Sequence, residues 1–211
     1  MKKRANLLIV VAALFFAAAV PLTVYAYLQK TEEKENQFTI GEDRVDVTEN
    51  FTEPTYASMQ DTFTKEVKVQ NTGTSDQFVR VYLDFSDSRV REQAKIGYTK
   101  NDTKAEKSWT EFLEYLPDNW TYIPENDAVD GNLLGGYFYY TKVLEPNAET
   151  NALIEEVKTN FGSDSNTDNI TDFNIIVYSE SVQTVELNES GTVYADDQWK
   201  DAWKSFLTIK T

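Results

Sequence analysis

Phe63–Phe85, FTKEVKVQNTGTSDQFVRVYLDF, is the stretch that decides the fold of this chain. Its second half alternates apolar with polar or amphipathic side chains, and the apolar positions are Val79, Val81, Leu83 and Phe85. This alternation is typical of a strand with one buried face. Phe63–Val69 alternates in the same way, except that the charged Lys65 occupies one of the apolar positions. The linking segment Gln70–Gln77 is rich in turn formers around Gly73, so we predict a β-hairpin.

Further strands are predicted on both sides of this stretch. They are Phe38–Val47, Gly136–Leu144, Thr150–Lys158 and Phe173–Val185. The centre of the last one, Ile175–Tyr178, is apolar on both faces, so we expect a strand that is covered on both sides. The number of short strands and turn signals predicts one all-β domain over residues 38–211. Its expected architecture is an antiparallel two-sheet β-sandwich, jelly-roll or Ig-like in topology.

Two short helices are predicted beside the strands, at about 108–116 and 196–207. The first places its apolar residues at helical spacing: Trp109, Phe112, Leu113 and Leu116. The second does the same with Trp199, Trp203, Phe206 and Leu207. We expect Trp199 and Trp203 to fasten this terminal helix to the sandwich.

The N-terminus has the order of a secretory signal. A basic tip is followed by an uncharged run from Ala5 to Gln29. Within this run, Val24-Tyr25-Ala26 has the small residues that a signal peptidase cleavage site requires. Val24 and Ala26 fit the −3 and −1 positions of a signal peptidase site, so residues 1–26 are predicted to be a signal peptide. An uncleaved membrane anchor is the alternative, since about 20 apolar residues can span a bilayer.

Composition narrows the classes of function. The chain has 211 residues and a net charge of −15, and cleavage after Ala26 would remove three basic and no acidic residues, leaving −18. This charge argues against binding to nucleic acid or to anionic lipid. Cysteine and histidine are both absent, which excludes Ser-His-Asp and Cys-His mechanisms and HExxH zinc sites. No spacing singles out a catalytic pair among 35 acidic residues, so we do not expect an enzyme.

Several segments together resemble one family. They are VYAYLQ at Val24–Gln29, NQFTIGEDRVDVTEN at Asn36–Asn50, the Phe63–Phe85 stretch, DGNLLGGYFYYTKVLEPNAETNALIEEV at Asp130–Val157, DFNIIVYSESVQTV at Asp172–Val185, and QWKDAW at Gln198–Trp203. In their order and spacing behind the signal, these segments resemble the TasA/camelysin family of Gram-positive bacteria. The resemblance implies export through a signal peptidase of the SipW type, a secreted or cell-surface location, and a structural role in biofilm matrix fibres.

The resemblance also implies a mode of assembly. In such fibres the N-terminal segment of one subunit completes a sheet of its neighbour, which here would be Tyr27–Gln37. Tyr27, Leu28 and Phe38 are its apolar assembly candidates, while Glu32, Glu33 and Glu35 make it acidic. The other interpretation of this segment is a flexible arm.

Two binding sites are conceivable. Asp164, Asn166 and Asp168 alternate as calcium ligands do, but Asn169 and Ile175 stand where an EF-hand needs glycine and glutamate, so a solvated loop is the simpler interpretation. A dense aromatic set could stack on sugar rings or could fill the core, and we favour the core. Its members are Trp109, Phe112, Trp120, Tyr122, Tyr137, Phe138, Tyr139 and Tyr140.

The sequence therefore predicts an exported structural protein of the cell surface or biofilm matrix. We expect it to act by self-association or by binding a related matrix subunit, with no cofactor. The alternative function is a surface-exposed binding module for glycan or calcium.

Overall fold

The computed structural model describes residues 44–51, 60–125, 134–160, 173–185 and 192–209. Within these ranges the strands are β1 Val45–Phe51, β2 Gln60–Asn71, β3 Gln77–Phe85, β4 Lys95–Lys100, β5 Thr103–Ser108, β6 Trp120–Ile123, β7 Tyr137–Tyr140, β8 Ile154–Asn160 and β9 Ile175–Gln183. The helices are α1 Ser88–Gln93, α2 Trp109–Glu114 and α3 Trp199–Ile209, and a 3₁₀ turn, Asp196–Gln198, leads into α3.

The strands form two antiparallel sheets. The first sheet has the order β1-β2-β8-β4-β5, and the second sheet has the order β6-β7-β3-β9. Their facing sides enclose the main core, to which the first sheet contributes residues such as Val67, Ile96 and Val157 and the second sheet contributes Val81 and Phe138. The prediction of an all-β, two-sheet antiparallel sandwich is confirmed.

The predicted hairpin between Phe63–Val69 and Val79–Phe85 is wrong. Both segments are strands, but β2 pairs with β1 and β8 while β3 pairs with β7 and β9. The linking segment therefore carries the chain from one sheet to the other. Both strands alternate because their apolar sides face the same core from opposite sides, and local alternation cannot distinguish that arrangement from a hairpin.

The side chain of Asn71 holds this crossing in place. It is fully buried; its amide nitrogen donates to the carbonyl oxygens of Ser75 and Leu144 at 2.8 Å each, and its Oδ1 accepts the Gly73 N–H at 2.9 Å. The backbone N–H of Asn71 donates to the Ala148 carbonyl at 3.0 Å. Side-chain hydrogen bonds to buried backbone groups thus replace those that a sheet ladder would supply.

The predicted helices are confirmed. Ser108 begins α2 with a capping box, in which its hydroxyl accepts the Glu111 N–H and the Glu111 carboxylate accepts the Ser108 N–H. All four apolar residues predicted for this helix pack on the main core. Helix α3 follows the 3₁₀ turn at Asp196 and lies on the outer side of the second sheet, which adds a third layer to part of the sandwich.

Other elements differ from the sequence prediction. The strand expected at Phe38–Val47 falls partly outside the described residues, and the described strand, β1, continues to Phe51. Helix α1 and the β4–β5 hairpin, Lys95–Ser108, were not predicted. Asn101 and Asp102 close that hairpin with positive φ angles of 47° and 57°, the conformation of a type I′ turn.

The expectation that Ile175–Tyr178 is covered on both faces is also wrong. Strand β9 lies at the edge of the second sheet, where Ile175 and Val177 face the core. Ile176 and Tyr178 point to the other side and remain 42% and 43% exposed. A continuous apolar run here marks one buried face and one exposed apolar face.

Candidate functional site

The site residues predicted from the sequence lie outside the described residues. This applies to the cleavage positions Val24 and Ala26, to the assembly candidates Tyr27, Leu28 and Phe38, and to the calcium candidates Asp164, Asn166 and Asp168. Within the described ranges, no group of three acidic side chains is arranged to hold a metal ion. The helices in those ranges also include none with the length and apolar character required to cross a membrane.

The dense aromatic set belongs to the core, as predicted. Phe112, Phe138 and Tyr139 are fully buried, Trp120 is 6% exposed, and the other four members pack against the two buried clusters. Trp120 also donates its indole N–H to the Asn151 carbonyl at 3.2 Å. Of this set, Tyr137 is partly buried and also contacts Tyr82 and Tyr178 on the outer face of the second sheet.

Helix α3 covers one half of the outer face of the second sheet. Trp203 is fully buried there and lies edge-on to Tyr139, with ring centroids 5.9 Å apart, and Trp199 packs on the same tyrosine at 4.9 Å. The expectation that Trp199 and Trp203 fasten the terminal helix is confirmed. Asp196 adds a polar contact, because its carboxylate accepts the Val143 N–H at 2.7 Å.

A buried arginine marks the boundary of the helix-covered half. The Arg80 guanidinium lies 4.4 Å from the centroid of the Trp203 ring and 3.8 Å from that of Tyr137. It donates to Glu180 Oε2 at 2.7 Å and to the Tyr139 hydroxyl at 3.1 Å. Since the Arg80 side chain is 5% exposed, the bond to Glu180 neutralises a desolvated charge.

The other half of this outer face carries three tyrosines, Tyr82, Tyr137 and Tyr178, which we call the tyrosine surface. Tyr82 and Tyr178 are direct cross-strand partners, and their rings stack with centroids 4.8 Å apart and planes at 15°. Tyr137 meets both rings edge-on at 6.0 and 6.2 Å. The exposed Ile176 lies on the same face, next to Tyr178 along β9.

Strand β9 presents the edge of the sheet beside this surface. Ser86 N–H donates to the Asn174 carbonyl and Thr184 N–H donates to the Asp76 carbonyl, which fixes the alternation along the β3–β9 ladder. Ile176, Tyr178 and Glu180 therefore use their backbone groups toward β3. The backbone groups of the residues between them, Ile175, Val177 and Ser179, point away from β3. In the described part of the chain, β9 has β3 as its one sheet neighbour.

The remaining sheet edges are protected in ways that β9 is not. Strand β5 carries Lys104, Glu106 and Lys107, β6 is four residues long, and β1 carries the exposed Asp46. Charges and short length are devices that prevent edge strands from pairing with other chains. Strand β9 keeps register with β3 over nine residues without a bulge, and it contains no lysine and no proline.

Two carboxylates beside the β9 edge are paired. The single charged residue of β9 is Glu180, which lies 2.5 Å from Arg80, and the nearby Asp84 of β3 forms an ion pair with Arg91 at 3.0 Å. These two ion pairs lower the local negative charge in a chain with a net charge of −15. Each ion pair reduces the repulsion that its carboxylate would exert on another acidic protein.

An acidic depression of about 480 Å³ lies on the outer side of the first sheet. Glu66, Asp102, Asp118 and Glu155 line it together with Lys68. Lys68 lies 2.7 Å from Glu66, and this hydrogen bond raises the pKa of Lys68, so the ammonium stays charged and occupies part of the acidic lining. Within the described ranges, no three of these carboxylates are arranged to hold a metal ion.

The β9 edge and the tyrosine surface were not identified from the sequence. The outward direction of Tyr82 followed from the alternation of β3, but its contact with Tyr178 depends on pairing between strands about 100 residues apart. The signal that was available is the apolar run Ile175–Tyr178, which fits an edge strand with an exposed apolar face as well as a covered strand.

Comparison of the chain with protein-family models, with curated proteins and with solved structures gave no match. The resemblance to the TasA/camelysin family therefore stays a prediction based on the segments quoted above.

Proposed function

We propose that this chain is an exported structural protein of the cell surface or biofilm extracellular matrix. It acts by associating with further copies of itself or with a related matrix subunit, through pairing at a sheet edge. The observation that carries the proposal is β9, a nine-residue edge strand with two exposed apolar side chains, Ile176 and Tyr178. Edge strands of this kind are ready templates for pairing with another chain.

Export is part of the proposal and is supported by the sequence of the N-terminus. The basic tip, the uncharged run and the exit at Val24-Tyr25-Ala26 have the order of a secretory signal. The absence of histidine and cysteine from the whole chain supports a structural rather than a hydrolytic role. The strong negative charge favours a protein that stays dispersed until its charges are screened.

Electron microscopy tests the proposal. The mature chain, beginning at Tyr27, is compared with a chain that lacks Tyr27–Gln37, each across a range of pH and Ca²⁺ concentration. We expect ordered assemblies from the mature chain. Their loss in the shortened chain would support strand donation by Tyr27–Gln37, and identical assemblies would show that another edge, such as β9, makes the contact. Dispersed single particles from the mature chain under all conditions would contradict the proposed function.

A further inference from the structure

We propose that the partner of β9 is the β9 strand of a second copy of this chain. The two strands would pair antiparallel about a two-fold axis at Val177 and join the two four-stranded sheets into one. This inference rests on the proposed self-association. It identifies the strand and the register through which two copies would associate.

The backbone pattern of β9 permits this register. Ile175, Val177 and Ser179 are the residues whose N–H and C=O groups point away from β3. An axis at Val177 pairs Val177 with Val177 of the copy, and Ile175 with Ser179 of the copy. All outward groups of these three residues then have partners in both chains, because a two-fold axis repeats each contact.

The side chains favour the same axis. With Val177 at the centre, the exposed Ile176 lies directly opposite Tyr178 of the copy, so four apolar side chains cover one another on the outer face. Directly opposed side chains of this kind stabilise a strand pair, and aromatic with β-branched residues are among the favourable pairs. The sides of Ile176 and Tyr178 that face the sheet edge are thereby covered.

Charge repulsion disfavours the neighbouring register, in which the two-fold axis passes through Ser179. An axis at Ser179 would place Glu180 opposite Tyr178 of the copy and would bring the two Glu180 side chains near each other. The axis at Val177 separates them by six residues along the strand, about 20 Å, which exceeds the screening length of about 8 Å at physiological salt. Each Glu180 also keeps its ion pair with Arg80 of its own chain.

Cysteine cross-linking tests the register, because the chain has no cysteine of its own. One preparation of the full chain carries Ile176→Cys and another carries Tyr178→Cys. In the proposed pairing, positions 176 and 178 of different copies are opposed in a non-hydrogen-bonded pair, with Cα atoms about 4.5 Å apart, whereas like positions are diagonal neighbours at about 7–8 Å. A disulfide requires Cα atoms within about 7 Å.

We therefore expect the mixture of the two preparations to form the mixed disulfide about tenfold faster than either preparation forms its own disulfide. A mixture of Ile176→Cys with Val193→Cys is the matched control, because Val193 is also an exposed apolar residue but lies outside β9. Equal rates in the two mixtures would overturn the proposal, since general aggregation brings all exposed cysteines together alike.

Proline substitutions test the backbone pairing independently. Ser179→Pro removes an N–H that points away from β3, so the ladder within the monomer keeps its bonds. Lys104→Pro is the control on the β5 edge, because the closing pair of the β4–β5 hairpin, Lys100 with Thr103, leaves the Lys104 N–H pointing outward. We expect the first substitution, and not the second, to reduce the mixed disulfide about tenfold, with circular dichroism reporting the fold of each variant.

The β9 pairing and the proposed matrix function can be refuted independently of each other. Assemblies in the microscope without the mixed disulfide would overturn the β9 pairing and leave the structural function in place. A mixed disulfide in a chain that forms no larger assembly would support the β9 pair and contradict the matrix role.

Discussion

Trp203 is the residue on which the attachment of the C-terminal helix depends most. Its side chain is fully buried between the helix and the second sheet. Trp203→Ala is expected to lower the free energy of unfolding by about 3–5 kcal/mol, because it removes a large buried ring and leaves a cavity. Urea denaturation of the variant measures this loss.

Two controls separate the packing of the Trp203 ring from its polar group. The indole N–H is buried and has no hydrogen-bond partner in the described part of the chain, so Trp203→Phe is expected to cost clearly less than Trp203→Ala. Tyr115→Ala, at a ring that is 54% exposed, should change the free energy by less than about 0.5 kcal/mol. A loss below about 1 kcal/mol for Trp203→Ala would contradict the buried position.

Tyr139 links stability to alkaline pH at the same interface. Burial raises the pKa of its hydroxyl to about 12, although Arg80 counteracts this effect. Because the folded pKa lies above the unfolded value of about 10, the contribution is complete below pH 10 and is lost as the pH rises toward 12. We expect the free energy of unfolding to fall over that interval.

Tyr139→Phe provides the matched variant. The hydroxyl donates to the Leu134 carbonyl at 2.6 Å and accepts from Arg80, so its removal should cost about 1–3 kcal/mol at neutral pH. It should also make the decline between pH 10 and 12 less steep. Chemical denaturation at a series of pH values measures both effects, and an unchanged alkaline slope would refute the role assigned to this hydroxyl.

At the scale of elements, the crossing between β2 and β3 depends on one side chain. Asn71→Ala removes three hydrogen bonds to backbone groups at a fully buried position, and we expect a loss of about 2–4 kcal/mol. Thr72→Ala is the control in the same segment, because Thr72 is exposed and its hydroxyl bond to the Arg44 carbonyl is long, at 3.4 Å. Equal losses in thermal denaturation would show that Asn71 does not hold the crossing.

Asp196 connects the start of the C-terminal helix to acid stability. The Val143 N–H, and then Lys142, hold the pKa of the Asp196 carboxyl below its usual range. A lowered folded pKa stabilises the protein above the unfolded pKa near 3.8, and that stabilisation disappears as the pH falls through the folded value. Because the carboxylate is about half exposed, Asp196→Ala should cost no more than about 1 kcal/mol at neutral pH, and less as the pH falls below 3.8, as urea denaturation over this pH range would measure.

Short-range periodicity in the sequence predicted the buried faces of strands and helices correctly. The alternation in Val79–Phe85 and the helical spacing of Trp199 and Trp203 predicted which faces are buried. Periodicity did not predict which strands pair when the two strands are distant in sequence. The hairpin was wrong because β2 and β3 use neighbours such as β8 and β9, and the exposure of Ile176 follows from the position of β9 at a sheet edge.

At the scale of the whole molecule, net charge and edge pairing act against each other. A chain of −15, or −18 after the predicted cleavage, repels its own copies, while β9 offers exposed apolar side chains and a single acidic residue that is paired with Arg80. Since salt reduces repulsion between exposed charges, we expect self-association to strengthen as the salt concentration rises. A contact made mainly by ion pairs would show the opposite dependence.

Sedimentation velocity of the mature chain, over a range of protein concentration at low and at physiological salt, measures its self-association. We expect a sedimentation coefficient that increases with protein concentration, and more steeply at the higher salt concentration. A single monomeric species with the same sedimentation coefficient at every protein and salt concentration would contradict it.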